Sequence, residues 1–205
     1  MREELSRVEA FSDGVFAIAI TLLILEIRVP HADAGGLWAA LAALWPSYLA
    51  FLLSFFVILV MWVNHHELMR TVHRVCYPFL FANGFLLLTV TFVPFPTAVL
   101  AEHMAGPHAR AAVTFYCGTF VLNSLSWGLL FWTVVRFRLL REHIDRETIG
   151  RIRRAYMAGP PIYAAATVVA LFSPTLALVV NASLWLLWVR LCYHTAEEAR
   201  QLQTA

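Results

Sequence analysis

The chain has 205 residues, of which 60% are hydrophobic and 14% are charged, and its mean hydropathy is +0.70. Soluble domains are roughly half apolar and a quarter charged, so this composition excludes an ordinary soluble protein. The formal net charge is only +2, and nothing in the sequence indicates a nucleic-acid partner. Because a transmembrane helix needs about 20 residues, the chain has room for one membrane domain, predicted to cover residues 1–205.

Apolar segments along the chain predict six transmembrane helices and an all-α integral membrane fold. The segments lie near residues 8–29, 38–63, 75–100, 110–135, 155–172 and 175–193. Charge, proline or glycine separates each from the next. In the fifth segment the prolines Pro160 and Pro161 are expected in the first turn of the helix, where proline is tolerated.

The distribution of arginine predicts the orientation of these helices. All fifteen positive residues are arginine, and thirteen of them lie at the termini or in alternate connections on one side. Only Arg28 and Arg110 remain for the other side. By the positive-inside rule, the arginine-rich side is cytoplasmic, so both termini are predicted there. We therefore expect a multi-pass protein of the cell (inner) membrane.

The first predicted helix combines polar side chains with an apolar stripe. An ionised carboxylate facing lipid is costly, so Asp13 must face a protein partner or water. At 100° per residue one stripe is formed by Arg7, Phe11, Gly14, Ile18, Leu22 and Leu25, with Thr21 to one side. Ser12 and Asp13 point away from this stripe. Ordinary apolar packing or lipid contact also accounts for such a stripe, and a structural clamp accounts for Asp13.

A second polar cluster ends the second predicted helix, where Trp62, Asn64, His65 and His66 lie on the same side of the membrane as Asp13. Buried charges are stable only when they are paired and hydrogen-bonded, and these side chains supply suitable donors and acceptors. The sequence therefore predicts a hydrogen-bond network between the first two helices.

Known catalytic and metal-binding patterns fail in this sequence. The segment His66-Glu67-Leu68-Met69-Arg70 imitates the zinc pattern H-E-x-x-H, but arginine stands where the second histidine belongs. No phosphate-binding loop, nucleophile elbow or T-V-G-Y-G potassium filter is present. We therefore expect no enzyme activity, metal or cofactor.

Three motifs together resemble the transmembrane protein 175 family, the lysosomal potassium channels and their prokaryotic relatives. The first is Arg7-x-x-x-Phe11-Ser12-Asp13 with the residues that follow it to Leu23. The others are Trp62-x-x-His65-His66 and Pro94-Phe95-Pro96-Thr97. The resemblance is strong over the first half of the chain, and the remainder agrees in helix count and loop pattern.

The resemblance implies a prokaryotic type of channel with one six-helix repeat, which forms a homotetramer whose first helices surround a central pore. It assigns the hydrophobic pore constriction to Ile18, with Leu22 and Leu25 on the next turns, and links Thr21 to selectivity. It also implies a network that braces the pore helix. When the polar cluster on the second helix is included, the predicted network consists of Arg7, Phe11, Ser12, Asp13, Trp62, Asn64, His65 and His66.

The expected function is a potassium-permeable, weakly selective cation channel, since an apolar constriction offers few groups that distinguish monovalent cations. The expected partners are potassium and other monovalent cations, the lipid bilayer and further copies of the chain. Two alternatives remain: a proton-coupled or other secondary transporter, and a membrane scaffold without transport. Transporters usually contain internal repeats and broken helices, neither of which is visible in the sequence.

Overall fold

A computed structural model of the chain describes residues 2–31, 35–141, 146–184, 186 and 188–189. All regular elements in this part are helical, which confirms the predicted all-α class. The helices are α1 (Arg2–Leu22, continued by a 3-10 turn over Leu23–Glu26), α2 (Gly36–Ala43), α3 (Trp45–Thr71), α4 (Tyr77–Phe92), α5 (Pro94–His103), α6 (Ala109–Arg136), α7 (Arg146–Ala170) and α8 (Pro174–Leu184).

Four helical stretches in the described residues are long and apolar enough to cross a membrane. They are Glu3–Glu26, Trp45–Thr71, Tyr77–His103 and Ala109–Arg136. These stretches overlap with the first four predicted segments, and the second begins seven residues later than predicted. The fifth and sixth predicted segments fall on α7 and α8, and the end of the sixth lies outside the described residues.

Proline divides two of the predicted segments. Pro46 has no N–H to donate and its ring clashes with the preceding turn, so the segment predicted over 38–63 is broken between α2 and α3. Pro94 and Pro96 have the same effect between α4 and α5, at Val93. In both cases proline takes one of the first positions of the following helix.

The seventh helix departs from the prediction because it begins at Arg146 and carries Pro160 and Pro161 in its interior. Close packing accompanies this irregularity. A Cβ atom placed on Gly159 would lie 3.3 Å from the Ser124 Cβ atom, so only a small residue permits this approach of α7 to α6. Membrane helices tolerate interior proline where neighbouring helices supply compensating contacts.

Buried polar side chains join the helices inside the bundle. On α3, Ser54 bonds the hydroxyls of Thr97 and Tyr116 at 2.7 and 3.0 Å. The Asn123 amide of α6 donates to Thr89 on α4 at 2.8 Å. Such interhelical bonds stabilise helix association where lipid provides little hydrophobic driving force.

Two connections pair at one end of the bundle. The segment after α3 and the segment after α6 run antiparallel, with Val72 opposite Leu140. The His73 amide donates to the Leu139 carbonyl at 3.0 Å, and the Arg141 amide donates to the Thr71 carbonyl at 2.9 Å. This pairing fixes the two arginine-bearing connections against each other.

Candidate functional site

The first helix has one buried and one exposed face. Its buried face, which packs against α3 and α4, is formed by Ser12, Phe16, Ala19 and Leu23. On the other face Phe11 is 67% exposed, Ile18 59%, Leu22 43% and Leu25 70%. Arg7, Gly14 and Thr21 are exposed on this face as well. We call Arg7, Phe11, Gly14, Ile18, Leu22 and Leu25 the exposed stripe.

Thr21 lies beside the exposed stripe, and its hydroxyl points back to its own helix. The Thr21 Oγ1 atom lies 3.0 Å from the Ala17 carbonyl and 2.9 Å from the Ile18 carbonyl. Because its one proton is donated to these carbonyls, the oxygen lone pairs are left to face outward. A cation is bound by such lone pairs, so the arrangement suits a cation ligand.

A chain of hydrogen bonds fixes the buried face of α1. Ser12 Oγ donates to the Val8 carbonyl at 2.8 Å and accepts from Asn83 Nδ2 at 3.0 Å. This turns the Asn83 Oδ1 atom toward His65, and the two atoms Oδ1 and Nε2 are 2.9 Å apart. An amide oxygen only accepts, so His65 must carry its proton on Nε2.

His65 is fully buried between aromatic rings. Its ring centroid lies 5.3 Å from that of Phe16 and 6.3 Å from that of Trp127. Its Nδ1 atom has no hydrogen-bond partner within the described part of the chain. The histidine is therefore held by packing on its ring faces and by one hydrogen bond.

A second set of contacts joins α1 to α3 at the edge of the same interface. The indole Nε1 of Trp62 donates to Asp13 Oδ1 at 2.9 Å. One turn further toward the end of the bundle, His66 Nδ1 lies 3.3 Å from Glu9 Oε1, and the Trp62 and His66 rings stack. Asp13 thus faces α3 and not the exposed stripe.

Three members of the predicted network lie elsewhere. Arg7 and Phe11 are on the exposed stripe, and no hydrogen bond or ion pair joins Arg7 to another residue of the described ranges. Asn64 donates to the Val60 carbonyl of its own helix at 2.8 Å. It lines a cleft whose other walls include Asn123 and Tyr163.

Sequence reasoning missed Asn83 and Glu9 as members of the network. Asn83 precedes Gly84, and an Asn-Gly pair is typical of a turn. Its position within an apolar stretch could have identified Asn83 as a member of the network, because an amide inside a membrane helix needs a partner on a neighbouring helix. Glu9 lies one turn before Asp13, on the same side of α1.

The site holds no recognisable metal centre. Within residues 2–31, 35–141 and 146–184 no group of three or more potential metal-ligating side chains comes together. Glu67 belongs to the segment that partly matches the zinc pattern H-E-x-x-H, and its carboxylate lies 3.2 Å from the Arg70 guanidinium.

We expect Asn83→Leu to destabilise the protein strongly. The leucine has the same branched shape but removes the donor to the Ser12 oxygen and leaves the buried His65 Nε2–H without an acceptor. Each unsatisfied group costs about 1–3 kcal/mol, so the melting temperature in detergent should fall by about 10 °C. Asn64→Leu is the matched control, because that amide bonds only its own helix. Equal melting temperatures for both variants would contradict the network.

Comparison with known proteins gives concordant matches. A sequence model of the family described as "Endosomal/lysosomal potassium channel TMEM175" matches residues 7–94. A potassium channel of Chamaesiphon minutus is 49% identical over 166 residues, which are 79% of this chain and 82% of that protein. The endosomal/lysosomal proton channel TMEM175 of Bos taurus is 41% identical over 146 residues, which are 66% of this chain but 30% of that protein.

A solved structure also shares the fold. The crystal structure of a lysosomal potassium-selective channel TMEM175 homolog from Chamaesiphon minutus superposes with a TM-score of 0.85 at 43% identity. The match covers 93% of this chain and 98% of that one, so the same fold extends over nearly all of both chains.

Proposed function

Because the chain belongs to the TMEM175 family of ion channels, we propose that it forms a potassium-permeable, weakly selective cation channel. The family assignment confirms the resemblance seen in the first helix, and it means that the chain is not an enzyme. One observation carries the proposal: α1 leaves an apolar stripe exposed while hydrogen bonds to α3 and α4 hold its opposite face.

The assembly we propose is a homotetramer of six-helix subunits in the cell (inner) membrane, with both termini cytoplasmic. A closed ring of four copies brings one exposed stripe from each subunit to a common axis. Small exposed residues on the stripe and beside it support this arrangement, because they let helices approach closely. These residues are Ala10, Gly14 and Ala17. α7 and α8 belong to the fifth and sixth spans.

Within this assembly Ile18 forms the narrowest ring, and Leu22 and Leu25 extend the apolar path on the following turns. Thr21 supplies outward oxygen lone pairs beside that path and contributes to selectivity. Arg7 and Phe11 lie at the cytoplasmic entrance of the pore. There they contact neighbouring subunits and not other residues of their own subunit. The hydrogen bonds of Ser12 and Asp13 keep α1 in the rotation that aims the stripe at the axis.

Gly14 provides a test of this arrangement, because no atom lies within 4 Å of a Cβ placed on it in the single chain. Gly14→Leu should therefore leave the subunit folded but add a bulky apolar ring one turn before Ile18, at a level where the wild type has only glycine. We expect its potassium flux in liposomes to fall to background. Gly128→Leu on α6 is the matched control, since its Cβ also meets open space. Unchanged flux in Gly14→Leu would argue against an axial position for α1.

A proton channel is the second candidate, because the bovine relative is named as one. The exposed stripe favours cation permeation over a side-chain proton relay, since Gly14, Ile18, Leu22 and Leu25 have no titratable group. A wetted path of this kind would still conduct some protons.

Flux through purified protein in liposomes distinguishes the possible functions. We expect potassium and sodium to move down their gradients without a coupled substrate, potassium somewhat faster. A proton-only flux would establish the second candidate. Potassium movement that requires an opposing proton gradient would indicate a transporter, and no movement of any ion would indicate a scaffold.

A further inference from the structure

The paired connections after α3 and α6 concentrate positive charge at one end of the bundle. We call residues 72–74 and 137–141 the basic clip. Val72 pairs with Leu140 in an isolated bridge, with Arg74 two residues after Val72 and Arg138 two residues before Leu140. Both of these arginines are exposed.

The geometry of the basic clip holds its arginines in place. The Arg74 guanidinium donates to the Phe137 carbonyl, the group that directly precedes Arg138, at 3.2 Å. Arg138 has a positive φ of 52°, which is uncommon for a residue with a side chain. From the opposite segment Arg141 Nε reaches the Val72 carbonyl at 3.4 Å. The Arg74 guanidinium thus lies beside the residue that precedes Arg138, and a bound anion would reduce the repulsion between neighbouring positive charges.

The described acidic residues nearest to the basic clip in the sequence form no ion pair with it. Glu67 is paired with Arg70, and Glu147 is exposed in the first turn of α7. Arg136, exposed at the end of α6, adds a further positive charge. Glu142 and Asp145 belong to the same connection in the sequence but lie outside the described residues.

Exposed aromatic side chains lie on the membrane side of the basic clip. Tyr77 and Phe81, at the start of α4, are 79% and 78% exposed, and Trp132, one turn before the end of α6, is 56% exposed. Tyrosine and tryptophan prefer the boundary between headgroups and hydrocarbon. With these rings at that boundary, the arginines of the basic clip would lie at the level of the lipid phosphates.

We propose that the basic clip binds the phosphate of an anionic phospholipid, with Arg74 and Arg138 as its principal ligands. The guanidinium fork matches phosphate oxygens in a bidentate manner, and basic residues next to transmembrane helices attract anionic headgroups. The lipid bridges the connections after α3 and α6 and so ties those helices together. The proposal depends on the membrane location of the chain and not on ion conduction.

Native mass spectrometry of the purified protein tests this proposal, with phosphatidylglycerol and phosphatidylcholine of identical acyl chains as probes. We expect the wild type to retain phosphatidylglycerol in preference to phosphatidylcholine. Each basic residue near an anionic surface strengthens binding by about fivefold, so Arg74→Gln/Arg138→Gln should weaken phosphatidylglycerol binding by roughly 30-fold. Arg28→Gln/Arg110→Gln, which removes two exposed arginines elsewhere, should bind like the wild type.

Arg138→Gln alone is included in case the double variant does not fold, because the Arg74 guanidinium also bonds the backbone. It should weaken phosphatidylglycerol binding by about fivefold. Equal retention of the two lipids by the wild type would overturn the proposal, and so would unchanged phosphatidylglycerol binding in Arg138→Gln. Displacement of the lipid by inorganic phosphate at equal concentration would identify a free-anion site instead.

Discussion

Ile18→Asn is expected to raise single-channel conductance and to lower the preference for potassium over sodium. Isoleucines converging on an axis provide no polar group to replace the water around an ion, so the barrier at that ring is steric and dehydrating. Asparagine brings an amide that hydrates the ring, which lets water and both cations enter. Recordings from planar bilayers in potassium and sodium measure both changes.

Ile20→Ala is the control on the same helix. Ile20 is partly buried and packs against the hydrophobic core, whereas Ile18 is exposed. Its truncation should lower the melting temperature without changing the conductance of the protein that remains assembled. An effect of Ile20→Ala on conductance equal to that of Ile18→Asn would show that the pore face of α1 is assigned wrongly.

Asp13→Ala is expected to impair stability and assembly far more than ion preference. The substitution leaves the Trp62 indole N–H without its acceptor and frees one contact between α1 and α3. Hydrogen bonds to charged groups contribute about 1.5–3 kcal/mol, so the melting temperature should fall by roughly 5–10 °C. Size-exclusion chromatography of heated samples should show loss of the tetramer at lower temperature.

Asp13→Asn separates the hydrogen bond from the charge, because its amide oxygen still accepts from Trp62. It should retain most of the stability that Asp13→Ala loses. An Asp13→Ala protein that stays tetrameric and as stable as the parent, but loses its ion preference, would place Asp13 in the ion path.

The two faces of α1 were predictable from the sequence, because helical periodicity and the cost of an exposed carboxylate both constrain them. Ser12 and Asp13 had to point toward protein, and the structure places them against Asn83 and Trp62. Leu25 lies in the 3-10 turn, where extrapolation at 100° per residue no longer applies, yet it remains exposed.

The partners of those side chains were less predictable, since a single sequence does not show which residues of distant helices meet. Asn64 has the right chemistry for the network but lies on another side of α3, where it bonds its own helix. Asn83 has the right chemistry and the right position, but nothing in the sequence indicates that it meets Ser12 and His65. The interior prolines of α7 were misplaced because local preference cannot anticipate the packing of Gly159 on Ser124.

Access of a thiol reagent to α1 tests most directly the claim that its exposed stripe lines the ion path. Cysteine would be introduced as Leu22→Cys or as Ile20→Cys, in a background where Cys76, Cys117 and Cys192 are replaced by alanine. We predict that a small cationic thiol reagent stops potassium flux through Leu22→Cys channels and leaves Ile20→Cys channels unaffected. Continued flux through fully labelled Leu22→Cys channels, or block through Ile20→Cys alone, would contradict the account.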